Sequence, residues 1–139
     1  MIKKGKKISN EEKERIEKKE ELRTLNQLVD QTEDIDTIIK ISKHEDDNLR
    51  LKAVKQLCPC KVQDDIPEFY DRMFEMVSDS CPKIRMQILH NLCDGSPSHV
   101  EARLKGALEK FNQDPDPEIR RRAHKVLVSF NRDGYWNVL

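Results

Sequence analysis

The chain has 139 residues, with 26 basic against 26 acidic side chains, 37% charged residues and 5% aromatics. That length suits one small domain, and the neutral total removes any whole-molecule steering toward a polyanion or a polycation. No run of about 18 apolar residues occurs, which excludes a membrane-spanning helix, and the lysine-rich start has no apolar stretch to act as an export signal. A cytoplasmic protein without a membrane partner is therefore expected. Four cysteines in such a chain read as reduced thiols more readily than as a disulfide framework.

Residues 1–9 read as a basic, disordered leader, residues 10–30 as a charged N-terminal helix, and residues 31–139 as the repeat domain. Ser9 and Glu12 have capping-box spacing. The helix is almost wholly Glu, Lys and Arg as far as Glu21, whereas Leu22, Leu25, Leu28 and Val29 recur at helical spacing, so its second half can dock while its first half stands in water. Asp34 can cap a helix carrying Ile35, Ile38, Ile39 and Ile41. The next helix turns Leu49, Ala53, Val54 and Leu57 inward and ends at Cys58-Pro59-Cys60. Asp64, Asp65 and Pro67 then open a helix whose stripe is Phe69, Met73, Phe74, Met76 and Val77. After Ser80-Cys81-Pro82, a helix bearing Ile84, Ile88, Leu89 and Leu92 stops at Asp94-Gly95. Ser98 and Glu101 again have capping-box spacing, ahead of a stripe of Val100, Leu104, Leu108 and Phe111. The last helix carries Ile119, Ala123, Val126, Leu127 and Phe130, followed by the tail Tyr135-Trp136-Asn137-Val138-Leu139.

One pattern recurs through these elements. Arg50, Arg85 and Arg120 stand 35 residues apart (85−50 and 120−85), and so do Leu57, Leu92 and Leu127; Leu49, Ile84 and Ile119 precede the arginines, and Ala53, Ile88 and Ala123 follow three residues after them. A fixed period of roughly 20–50 residues marks stacked helix pairs, none of which buries its apolar stripe alone. Where such a stack ends, an apolar face is left open, and the aromatic tail is expected to fold back over it with Trp136 and Leu139. The other reading makes the tail a short motif offered to another chain.

The turn Asp114-Pro115-Asp116-Pro117-Glu118-Ile119-Arg120, with Ala123 and Leu127 after it and weaker copies around Arg85 and Arg50, resembles the HEAT repeat family, in particular its short bacterial type related to phycobilin lyase repeats. Asp79 and Asp114 stand six residues before Arg85 and Arg120, as that family places them. His44 takes the Asp position in the first copy, with Glu45, Asp46 and Asp47 close by. The resemblance covers about residues 34–131. It implies an all-α fold, a right-handed superhelical solenoid of about three HEAT-like helix pairs behind an N-terminal charged helix, and a protein-binding scaffold as its use.

Charge pairing gives the repeated arginines a structural role. Each one, at the start of a second helix, can reach the Asp of its own turn and of the neighbouring turn, making a ladder of Arg50, Asp79, Arg85, Asp114 and Arg120. Binding residues are sought instead on the second helices' polar face, where Lys52, Lys55, Lys83, Gln87, His90, Arg122 and Lys125 form a mostly basic stripe with no acid in it. That stripe suits a protein partner with an acidic surface. The alternative partner is a nucleic-acid backbone, although stacking aromatics are missing from the stripe. A second copy of the chain, held through the N-terminal helix or the tail, is a further possible partner.

Cys58, Cys60, Cys81 and Cys93, with His90 and His99, have the donor types of a zinc site. Their spacing argues against one: Cys58 and Cys93 share a repeat position with Val128, which reads as an apolar slot, and Cys-Pro-Cys is not a Cys-x-x-Cys knuckle. No metal and no cofactor are expected. His124, at the repeat position of Val54 and Leu89, is expected to be a partly buried packing residue. The chain has no nucleophile elbow, no phosphate-binding glycine loop and no His-Glu-x-x-His, so no enzymatic activity is expected.

Overall fold

The structure, a computed structural model, describes Gly5 and residues 7–139. Much of the expected disordered leader therefore lies outside the described residues. Within them the fold is all-α, without a strand. Its helices are α1 (Asn10–Gln31), α2 (Ile35–Ile41), α3 (Asp47–Gln56), α4 (Pro59–Val62), α5 (Pro67–Glu75), α6 (Pro82–Leu92), α7 (Glu101–Phe111) and α8 (Pro117–Asp133), with 3₁₀ turns at Met76–Ser78 and Ser98–Val100. None is long and apolar enough to cross a membrane.

Helix starts follow local chemistry. Ser9, Asp34, Asp46 and Asp116 each accept a backbone N–H of the first turn, as at Leu49 N to Asp46 Oδ1 (2.9 Å), each worth about 1 kcal/mol. Helices α5, α6 and α8 begin on Pro67, Pro82 and Pro117, where a missing N–H costs nothing. Two expected starts differ. Asp64 and Asp65 cap nothing, because Cys58-Pro59-Cys60 opens the extra turn α4 and Ile66 becomes the residue before α5. Ser98 and Glu101 make no capping box, since Ser98–Val100 is a 3₁₀ turn and Glu101 is already the first residue of α7.

Helices α1, α3, α6 and α8 lie side by side, each on the next, and α2, the α5 segment with its 3₁₀ turn, and α7 pack against α3, α6 and α8. One core runs through the array: Leu49, Ile84 and Ile119 are fully buried, and so are Ala53, Ile88 and Ala123. Helix α1 joins by Leu22, Leu25 and Val29, while its first half is exposed; Leu28, expected inward, lies beside that line and is exposed. Val54 and Leu89 are buried under the following helix, but among the described residues no helix follows α8. His124 is therefore exposed, contrary to the packing role expected for it, and Val128 is 47% exposed where Cys58 and Cys93 are buried.

Polar side chains fix the register that apolar contact leaves loose. Asn91, fully buried on α6, donates to the carbonyls of Val54 (2.8 Å) and Leu57 (3.1 Å), closing the C-terminal end of α3. Arg72 of α5 donates to Ser42 Oγ and O after α2, and Arg103 of α7 reaches Asp71 (2.8 Å) and covers the Phe74 ring at 4.3 Å. The tail does fold back: Trp136 lies 5.7 Å from Phe130, Leu139 N donates to Cys93 O, and Asn137 Oδ1 accepts from Gly95 N and Ser96 N.

Two substitutions test this packing by chemical denaturation. Asn91→Ala loses about 2–3 kcal/mol, because two helix-end carbonyls are left unpaired in the interior. The buried Trp136 Nε1 has no hydrogen-bond partner among the described residues. Trp136→Ala should therefore cost about 2 kcal/mol for the lost ring, and Trp136→Phe less than about 1 kcal/mol.

Candidate functional site

The turn before each second helix is built the same way. Asp79 Oδ1 accepts from Cys81 N (2.9 Å) and Asp114 Oδ1 from Asp116 N (2.9 Å), each carboxylate bracing its turn two residues on. His44 Nδ1 accepts from Asp46 N (3.0 Å) in the same geometry. His44 is thus the first copy's counterpart of Asp79 and Asp114.

The arginines then join one turn to the next. Arg50 places Nε 3.1 Å and Nη2 3.0 Å from the two oxygens of Asp79, and Arg85 places Nε 2.8 Å and Nη2 3.0 Å from those of Asp114. Each remaining Nη1 donates to backbone carbonyls of its own turn, to His44 and Glu45 from Arg50 and to Asp79 from Arg85. The expected reach to the Asp of the same turn is therefore met at the carbonyl, not at the carboxylate. Asp47, an extra partner, also accepts from Arg50 Nη2 (2.7 Å). Arg120 donates through Nη1 to Asp114 O and Pro115 O, but its Nε and Nη2 have no partner among the described residues. The ladder has an open last rung.

Burial of these pairs decides their strength. Side-chain exposure is 12% at Arg85 and 6% at Asp114, so solvent screens them little. Burial alone would raise the Asp114 carboxyl; the hydrogen bonds from Arg85 and Asp116 N, together with the charges of Arg85 and Arg120, outweigh it and hold the group below the ordinary 3.8. The bond to Asp79 pushes Arg50 further up, and the bond to Asp114 does the same for Arg85.

The basic stripe is less uniform than its residues suggest. Lys52 pairs with Asp30 of α1 (3.1 Å), Arg122 with Glu118 (3.4 Å), and His90 Nε2 lies 3.5 Å from Asp94 Oδ2, so acids do enter this face. Gln87 donates to Asn91 Oδ1 and serves the α3–α6 clamp. Lys55, Lys83 and Lys125 remain exposed without an ion pair among the described residues. Together with His124, Arg120, Arg121 and Asn112, Lys125 lines an open groove of about 440 Å³ at the α8 end. Of the stripe residues that stay free of acids, one stands on each of α3, α6 and α8, and Lys125 shares the end that carries the open rung.

A second cluster was hidden by sequence distance. Cys58, His90 and Asp94 bring their donor atoms within 4.8 Å of one another, and Cys60 Sγ stands 2.6 Å from Cys58 Sγ. Cys58 Sγ lies 3.3 Å from Asp94 Oδ2. Burial, then the contacts with Cys60 and Asp94, push the Cys58 thiol up to about 12; the Cys93 thiol reaches about 12 through burial alone. The apolar slot inferred from the 35-residue period thus describes Cys93, whereas Cys58 faces polar donors. The period also held the missing signal: neighbouring helix ends lie side by side, which sets residue 58 against residues 93–94. His99 is elsewhere, paired with Asp65 and edge-on to Tyr70.

Comparison of the chain with protein families, with curated proteins and with solved structures finds no match.

Asp114→Asn tests the ladder. A carboxyl held below 3.8 in the fold contributes stability that is present above that value and lost as pH falls through the folded value. The variant should be about 3 kcal/mol less stable at neutral pH, and the gap to the parent should narrow below about pH 4 in urea unfolding.

Proposed function

We propose that the chain is a non-catalytic scaffold of HEAT-like helix pairs, wound as a right-handed superhelix, that binds an acidic protein surface at the α8 end of its second-helix face. The observation that carries this reading is the open rung at Arg120. The two donors that Arg50 and Arg85 turn toward a carboxylate of the next turn are, at Arg120, directed to no group of the described chain. A partner carboxylate seated there would make the same two-point contact, which a guanidinium fork favours over a lone ammonium contact.

Nearby groups support the same chemistry. Arg121, Lys125 and His124 share the groove with Arg120, and exposed Val128 supplies apolar area beside them. An exposed charge pair by itself contributes at most about 1 kcal/mol, so binding needs this apolar margin and several cations together. A stable interface of roughly 800 Å² per partner also extends along the stripe toward Lys83 and Lys55. A nucleic-acid backbone is the second reading, since a phosphate fits the same fork.

Fluorescence anisotropy with labelled Asp/Glu-rich helical peptides, and in parallel with duplex and single-stranded DNA, tests the proposal. The parent chain should bind an acidic peptide, and the double variant Arg120→Glu, Lys125→Glu should bind it about tenfold or more weakly while staying folded by circular dichroism, its unfolding midpoint lowered by loss of the Arg120 bonds to Asp114 O and Pro115 O. Equal affinity of parent and variant would sink the reading. DNA binding that falls steeply with salt, with no peptide binding, would replace it by the nucleic-acid alternative.

A further inference from the structure

The junction between the C-terminal ends of α3 and α6 gathers donor types that suit a metal. Cys58 is the residue before α4, and His90 and Asp94 lie four apart where α6 ends, so one helical turn presents both to the thiol. We propose that Cys58, His90 and Asp94 bind a zinc-class divalent cation, with the Cys60 thiolate as fourth donor. Neither the acidic-partner reading nor the ladder is needed for this site.

Geometry supports the assignment. On a tetrahedral zinc, sulfur-to-oxygen and nitrogen-to-oxygen ligand separations come to about 3.3–3.7 Å. Cys58 Sγ to Asp94 Oδ2 is 3.3 Å and His90 Nε2 to Asp94 Oδ2 is 3.5 Å. Two thiolates on one zinc stand about 3.8 Å apart, so Cys60 Sγ has to swing outward from its 2.6 Å approach, and its exposed position leaves room.

The surroundings are held as a ligand site requires. Asn91 locks the end of α3 to α6 within a residue of His90. Asn137 of the tail bonds Gly95 and Ser96, immediately after Asp94. Gly95 adopts the left-handed φ of 102°, and a Cβ there would stand 3.4 Å from Pro59 Cβ, so the loop bearing Asp94 lies directly on the Cys58-Pro59-Cys60 segment. Thiolate and imidazole together select zinc-like metals over magnesium or calcium. Coordination converts each cysteine thiol to a thiolate, its proton passing to solvent and its sulfur lone pair to the metal; no redox step is involved.

The full chain, reduced and stripped with a chelator, is titrated with cobalt(II) and then zinc(II). One equivalent of cobalt should produce a thiolate-to-metal charge-transfer band together with tetrahedral ligand-field bands, and zinc should displace it. His90→Gln, Asp94→Asn and Cys60→Ser should each weaken binding about tenfold or more, whereas Cys81→Ser, at the opposite end of α6, should leave it unchanged. Circular dichroism confirms that these variants fold, and none of them removes a fully buried group. Absence of the charge-transfer band, or affinity unmoved by His90→Gln and Asp94→Asn, overturns the site; affinity unmoved by Cys60→Ser overturns its fourth donor. Mass spectrometry of the untreated protein adds a further overturning outcome, a Cys58–Cys60 disulfide two hydrogens lighter than the thiol form and carrying no metal.

Discussion

The two-point contact between an arginine of one helix pair and an aspartate of the next turn, 29 residues on, is the constraint from which the rest of the array takes its register. Apolar stripes drive the helices together, but burial is non-directional and tolerates sliding. A guanidinium fork on a carboxylate does not tolerate it, because both hydrogen bonds are lost together when the geometry slips. Each aspartate also braces its own turn by accepting an N–H two residues on, so the group that fixes the spacing between pairs also fixes the entry into the next helix.

An array built this way has two unlike ends. At the first, α1 supplies Leu22, Leu25 and Val29 as cover and Asp30 as a partner for Lys52, and His44 fills the turn position that Asp79 and Asp114 hold in the later copies. At the other, the tail lays Trp136 and Leu139 against the core, and among the described residues no helix follows α8. His124 and Val128 are exposed there for the same reason that Arg120 has two undirected donors: each occupies a position that, one repeat earlier, faces a neighbour. The proposed binding surface is thus the uncompleted edge of a repeating pattern.

Between these ends, side-chain amides do work that charges do not. Asn91 satisfies helix-end carbonyls of α3 from within α6, and Asn137 anchors the tail to the loop leaving α6. Both converge on the junction where Cys58, His90 and Asp94 meet. Asn91 can be buried there at little cost because its amide nitrogen donates to backbone carbonyls already present and its Oδ1 accepts from Gln87.

Periodicity alone carried the helical class, the buried Leu49, Ile84 and Ile119, and the pairing of Arg with Asp, since those follow from side-chain spacing along a helix and from the 35-residue step. It failed where a position's environment depends on what comes next in space. His124 and Val128 share a repeat position with buried residues but stand at the end, and Lys52, His90 and Arg122 meet acids that lie on another helix or a turn away. The sequence likewise identified the donor types of Cys58, Cys60 and His90 without Asp94, whose contact with the thiol exists only once α3 and α6 are packed side by side. Residue type and period belong to the chain itself; the neighbours that complete a charge pair or a donor cluster are supplied by the fold, because they come from segments some thirty residues apart.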